Sequence, residues 1–209
     1  MYTSVIKRLL DIVISILGLI VLALPVVIMM IVIKIDDPGP AIFKQKRVGK
    51  DKKYFSLLKF RSMKMSTPRD VPTHLLDDPE HYITKTGRFL RKSSLDEIPQ
   101  LFNTILGQMS IIGPRPALWN QYDLIEERDK YGANDIRPGL TGWAQINGRD
   151  ELEIGEKACF DGEYVEKLSF GFDCRCFFGT IGKVLRGDGV LEGGTKETEK
   201  HTEQGITTK

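Results

Sequence analysis

Ile12 to Ile33 is a 22-residue run without a charged side chain, broken only by Ser15, Gly18 and Pro25. A straight helix of that length reaches about 33 Å, against about 30 Å for the hydrocarbon core of a bilayer. The run is too long for the apolar part of a secretory leader, and Ile33-Lys34-Ile35-Asp36 offers no small-residue cleavage site. It reads as a membrane segment. Pro25 removes a backbone donor and clashes with the carbonyl of Val21, so a kink is expected there. Lys7 and Arg8 precede the run, and Lys34 and a basic block follow it. If basic flanks stay on the cytoplasmic side, both ends belong on that side, and a kinked re-entrant helix satisfies this. A single kinked pass with the heavier C-terminal charge inside is the alternative, and the residues leave the two open.

The rest of the chain is long enough for one domain. A net charge of +2 hides a block between Lys44 and Lys64 with nine basic residues against one acid, Asp51. Such a block seeks phosphates, or forms a solvated hairpin face. Cys159, Cys174 and Cys176 form no disulfide framework, and scattered histidines give no zinc site. Two strands, 41–48 and 54–60, flank a turn at Gly49-Lys50-Asp51. Residues 62–80, with Pro68, Pro72 and Pro79, read as a loop. Helical patterning follows at 87–90, 97–106, 118–130, 154–166 and 172–185, and a polar tail at 191–209 reads as disordered. The expected class is α+β, predominantly helical, with a small β-hairpin; residues 1–35 form the membrane segment and 36–190 the cytosolic domain.

Two adjacent carboxylates, Asp96 and Glu97, lie between Arg88/Arg91 and Arg115. Ser94 and Glu97 have capping-box spacing, and Asp96 equally suits a cap before Pro99. A second reading uses the same placement: a carboxylate at a helix start beside arginines stays ionised and can attack phosphorus. Its neighbour, pointing about 100° away, would then hold Mg²⁺. In Gly113-Pro114-Arg115-Pro116 the prolines present Arg115 on a stiff turn, either to grip phosphate or to pair with a neighbour. Residues 137–149 are loop-like and rich in hydrogen-bonding groups; Trp143 there can stack on a ring or fill the core.

Together these motifs resemble the bacterial sugar transferases, the monotopic phosphoglycosyl transferases in their minimal form. The resemblance runs from about Lys7 to Val190. It is carried by Lys7-Arg8-Leu9-Leu10-Asp11, Lys59-Phe60-Arg61-Ser62-Met63, Ser94-Leu95-Asp96-Glu97, Gly113-Pro114-Arg115-Pro116 and Arg137-Pro138-Gly139-Leu140-Thr141-Gly142-Trp143. It implies transfer of a sugar 1-phosphate from a UDP-sugar to a polyprenyl phosphate, usually undecaprenyl phosphate, with release of UMP, as the first membrane step of surface glycan assembly. By the family's mechanism Asp96 forms a covalent phosphosugar intermediate and Glu97 helps hold Mg²⁺. Lys59, Arg91 and Arg115 fall where the family contacts phosphate, with Arg137 and Arg149 as further candidates. The resemblance implies a bacterial inner-membrane protein facing the cytoplasm, with no nucleic-acid partner, and is compatible with a homodimer. Two departures stand out: Leu24-Pro25 replaces the family's Ser-Pro at the helix bend, and Gln108 stands where many members carry an acid. A membrane-anchored lipid-binding module and a phosphohydrolase using Asp96 are the competing classes.

Overall fold

The computed structural model describes residues 2–68, 78–148 and 152–186; Arg149 and the 191–209 tail lie outside them. A π-helical turn, Tyr2–Ile6, leads into α1 (Lys7–Val21), and α2 (Ala23–Asp36) follows after a single-residue break at Leu22. The two helices meet at a 64° bend. Pro25 lies in the first turn of α2, so the carbonyl it leaves unpaired is that of Val21, next to the break. No single helix among the described residues is long and apolar enough to cross a membrane; the bent pair meets that test only when taken together.

Helix α1 is built inside out. Asp11 and Ser15 are buried against the domain, and Gly18 lets the helix approach Leu101, 3.2 Å from where a glycine methyl would stand. These positions recur at three- and four-residue spacing and so share one face. Leu17, Ile20 and Val21 on the outside are 56–75% exposed. In α2, Val26, Met29, Met30 and Ile33 form the inward stripe, packing with Ala41, Phe60 and Leu90. Leu24, Val27 and Ile31 point outward.

Both ends of this helical pair are tied to the same domain. Lys7 Nζ donates to Asp173 at 2.7 Å, and Arg8 donates to the carbonyls of Thr104 and Ile105. At the other end Asp37 accepts from Arg61 at 2.6 Å, and Asp36 accepts from the Thr86 amide. The basic pair before the apolar run therefore bonds within the domain instead of standing free as a charged flank.

The antiparallel hairpin pairs β1 (Ile42–Val48) with β2 (Tyr54–Phe60). Then come α3 (Pro79–Tyr82), α4 (Lys85–Lys92), a 3₁₀ turn (Leu95–Glu97) and α5 (Gln100–Ile105). The expected loop over 62–80 is thus shorter: Met63 bridges Ile83 and Pro79 starts a helical turn, while residues 69–77 are outside the described set. The helix expected at 97–106 begins three residues late, because the chain first makes the tighter 3₁₀ turn. The one expected at 118–130 reduces to α6 (Tyr122–Asp129), since Leu118 instead bridges Arg47 of β1.

A second sheet, not foreseen in the sequence, pairs β3 (Ser110–Ile112) with β4 (Gly139–Thr141) in parallel. Three-residue strands are too short to carry a periodic signal. Beyond it lie α7 (Trp143–Asn147), α8 (Ile154–Glu166) and α9 (Phe170–Arg186). Leu101, Ile111, Ile112, Trp143, Tyr164 and Cys176 form the main core. The three cysteines are free.

Candidate active site

The carboxylate pair is delivered by an unusual turn. Helix α4 is capped by Thr84, whose Oγ1 accepts from the Gly87 amide at 2.9 Å. Gly87 packs directly on the Ser62 carbonyl, where a methyl group could not fit. After Ser93, Ser94 adopts the left-handed conformation (φ 56°), a geometry that costs a non-glycine residue about 1 kcal/mol. That reversal turns Leu95–Glu97 inward. The capping box is not formed: Ser94 makes no side-chain cap contact, and Asp96 sits inside the 3₁₀ turn instead of capping a helix.

Asp96 and Glu97 are 8% and 9% exposed, which is rare for carboxylates unless they are paired. Lys59, projecting from β2, places Nζ 2.9 Å from Glu97 Oε1 and 3.6 Å from Asp96 Oδ2. Arg115 Nη2 reaches the same Glu97 oxygen at 2.7 Å. The two carboxyl pKa values are therefore displaced in opposite directions from their ordinary values. Burial alone would raise Glu97, yet Arg115 and Lys59 hold it well below the usual range. Burial raises Asp96, and Lys59, Arg115 and Arg91 only partly oppose it alongside the repulsion from Glu97. Asp96 does not stand at the start of a full helix: one 3₁₀ turn supplies little dipole, so its charge is supported by Lys59, Arg115 and Arg91.

Arg91 lies near enough to pull on Asp96, and its Nε donates to Ser62 Oγ at 2.9 Å. Arg88 faces away, paired with Glu80 at 2.9 Å. Arg137 is not brought to the carboxylates: its Nε donates to the Gly107 carbonyl at 2.9 Å, beside Arg8. Trp143 is core, 4.9 Å from the Phe172 ring, with Nε1 donating to Glu163. Gln108 serves structure, accepting from Asn103, which in turn bonds Ser56 and Leu58 of β2 and so ties α5 to the strand carrying Lys59.

The turn that carries Arg115 is fixed by a crossing of three glycines. Gly113 follows β3, Gly139 opens β4 and Gly142 closes it; a methyl at Gly113 would lie 2.6 Å from the Arg137 carbonyl. Methyl groups at Gly139 or Gly142 would overlap the backbone of Gly113. Only glycine permits this approach, so the two glycine-rich motifs are halves of one packing unit.

Among the described residues no group of three or more His, Cys, Asp or Glu could hold a metal alone. Mg²⁺, however, is commonly held by one or two carboxylates together with substrate phosphates. Glu97, buried beside Asp96, fits as one such carboxylate.

A buried carboxylate pair compensated by cations on separate elements marks this as the candidate functional site. The family model described as bacterial sugar transferase matches residues 2–187, and the chain belongs to that family. It is similar to the uncharacterized sugar transferase EpsL of Bacillus subtilis, 37% identical over 96% of this chain and 98% of that protein. It is 42% identical to the UDP-glucose:undecaprenyl-phosphate glucose-1-phosphate transferase of Escherichia coli, over 85% of this chain and 39% of that one. The undecaprenyl-phosphate galactose phosphotransferase of Salmonella typhimurium is 38% identical, over 88% of this chain and 41% of its own length. The chain thus spans about two fifths of these last two relatives.

Proposed function

We propose that this protein transfers a sugar 1-phosphate from a UDP-sugar to undecaprenyl phosphate, releasing UMP, as the first membrane step of surface glycan assembly. The observation that carries the reading is the buried Asp96–Glu97 pair held by Lys59 and Arg115. The Asp96 carboxylate attacks the β-phosphorus; the bond to the bridging oxygen breaks, and UMP leaves with that electron pair. An oxygen of the lipid phosphate then attacks the same phosphorus and releases Asp96. Attack by an anion on a dianionic diphosphate requires positive charge nearby. Lys59, Arg91 and Arg115 supply it, and substrate phosphate draws Lys59 and Arg115 away from Glu97. Glu97, together with substrate oxygens, would hold Mg²⁺, which would supply charge neutralisation at the diphosphate. Arg149 is proposed as a secondary phosphate contact.

The helical pair supports a re-entrant placement in the bacterial inner membrane. Its outer surface is apolar, and both ends are bonded to one domain. A membrane-crossing segment would have to separate them. The lipid acceptor is thereby brought to a domain that meets its soluble donor from the cytoplasm.

The test is UMP release from a panel of UDP-sugars, headed by UDP-glucose and UDP-galactose, with Mg²⁺ in detergent. Turnover that requires undecaprenyl phosphate and is lost in Asp96→Asn is expected. Sugar phosphate released without lipid would instead identify a hydrolase.

A further inference from the structure

The turn presenting Arg115 is held from behind by a buried ion pair. Arg128 on α6 and Asp161 on α8 are 3% and 0% exposed. Asp161 Oδ2 accepts from Arg128 Nε at 2.8 Å and from Nη2 at 2.5 Å. That leaves Nη1, which donates to the main-chain carbonyl of Arg115 at 2.9 Å. The next carbonyl, Pro116, accepts from Arg47 of β1, also at 2.9 Å. Arg115 reaches forward from this clamp to Glu97.

Prolines on both sides fix their own φ angles, and Pro116 pushes Arg115 toward extended backbone. The peptide plane after Arg115 is held in addition through its carbonyl, the atom to which Arg128 donates. A buried ion pair is by itself a weak source of stability, because desolvating both charges offsets their attraction. A guanidinium has a geometric capability that an ammonium lacks: one edge binds the carboxylate while another N–H stays in plane for a third acceptor.

We propose that Arg128 and Asp161 are positioning residues that aim the Arg115 guanidinium at the substrate diphosphate. The inference rests on the reading of Arg115 as a phosphate contact. Neither residue touches substrate; both act through the Arg115 carbonyl.

The probe is UDP, titrated calorimetrically with Mg²⁺ into the full chain in detergent, alongside thermal unfolding. Arg128→Lys keeps a charge beside Asp161 but cannot keep all three contacts. It is expected to melt within a few degrees of wild type and to bind UDP roughly tenfold more weakly, a displacement effect of the size positioning errors produce. Asp161→Asn, which leaves Arg128 without its countercharge, is expected to weaken UDP similarly and carries the test if Arg128→Lys does not fold. The discriminating readout is the double variant: Arg115→Ala with Arg128→Lys should bind UDP no more weakly than Arg115→Ala alone. Wild-type affinity in both single variants, or losses that multiply in the double, overturns the proposal. Unchanged affinity in Arg115→Ala itself overturns the reading of Arg115, and the inference with it.

Discussion

Replacing Lys59 by Met removes the ammonium between the two carboxylates while keeping a side chain of similar bulk. Nζ lies 2.9 Å from Glu97 and 3.6 Å from Asp96, and all three side chains are at most 18% exposed. At an effective dielectric of about 20, unit charges so close interact by about 4 kcal/mol. Removing one partner of a buried pair costs about 3–5 kcal/mol. Because Arg115 remains on Glu97, a loss near the lower end, about 3 kcal/mol, is expected at pH 8. For a chain of this size that lowers the melting temperature by about 6–12 °C. The sign of the pH dependence follows from Asp96. Burial already raises its folded-state pKa, Lys59 is the largest opposing influence, and removing Lys59 raises it further. A folded pKa above the unfolded value of about 3.9 means the native state binds more protons, so stability falls as pH rises through it. The deficit of Lys59→Met should therefore be largest at pH 8 and shrink toward pH 5. Thermal unfolding at several pH values, paired with UMP release, measures it. Turnover should drop by at least about 10²-fold, as when a preorganised donor is removed, and Lys59→Arg should recover part of both losses. A deficit that is absent, or equal at every pH, refutes the charge argument.

Gly142→Ala forces a methyl into the Gly113 backbone; overpacking of this kind costs about 1–3 kcal/mol, and both melting temperature and donor affinity should fall. Trp143→Phe loses the bond to Glu163 but keeps the contact with Phe172. It should lower the melting temperature by a few degrees and leave kcat/KM within about twofold; loss of UDP binding would assign the indole to substrate. Glu97→Gln should raise the Mg²⁺ concentration needed for half-maximal turnover, read from a Mg²⁺ titration of UMP release.

Long patterned segments were legible in the sequence because their signal is local. Strand β2 and helix α8 coincide with the expected ranges, and the break between α1 and α2 falls where Pro25 frees the Val21 carbonyl. What escaped depends on distant partners. Arg128 and Asp161 are 33 positions apart, and Asp11 accepts from Ser110 and Ile111 about a hundred residues away. Asp173, which gathers Tyr2, Lys7 and Tyr164, did carry a signal: it is a lone acid among Phe170, Phe172, Phe177 and Phe178. A charge in such surroundings requires a buried partner. The β3–β4 pair was invisible as strands, although its flanking glycines were prominent in the motifs. Ser94 has real capping-box spacing, but its left-handed turn aims the chain into the core, a conformation that spacing does not reveal.

The proposed reaction turns on Asp96 as the nucleophile. Incubating the protein with Mg²⁺ and its UDP-sugar donor, without lipid acceptor, and mapping the quenched chain by mass spectrometry tests it most directly. The account predicts one equivalent of UMP released per active site and a hexose-phosphate-sized adduct on the peptide containing Asp96, lost on adding undecaprenyl phosphate and absent in Asp96→Asn. Lipid-dependent turnover with no adduct and no UMP burst, or an adduct on another residue, would contradict it.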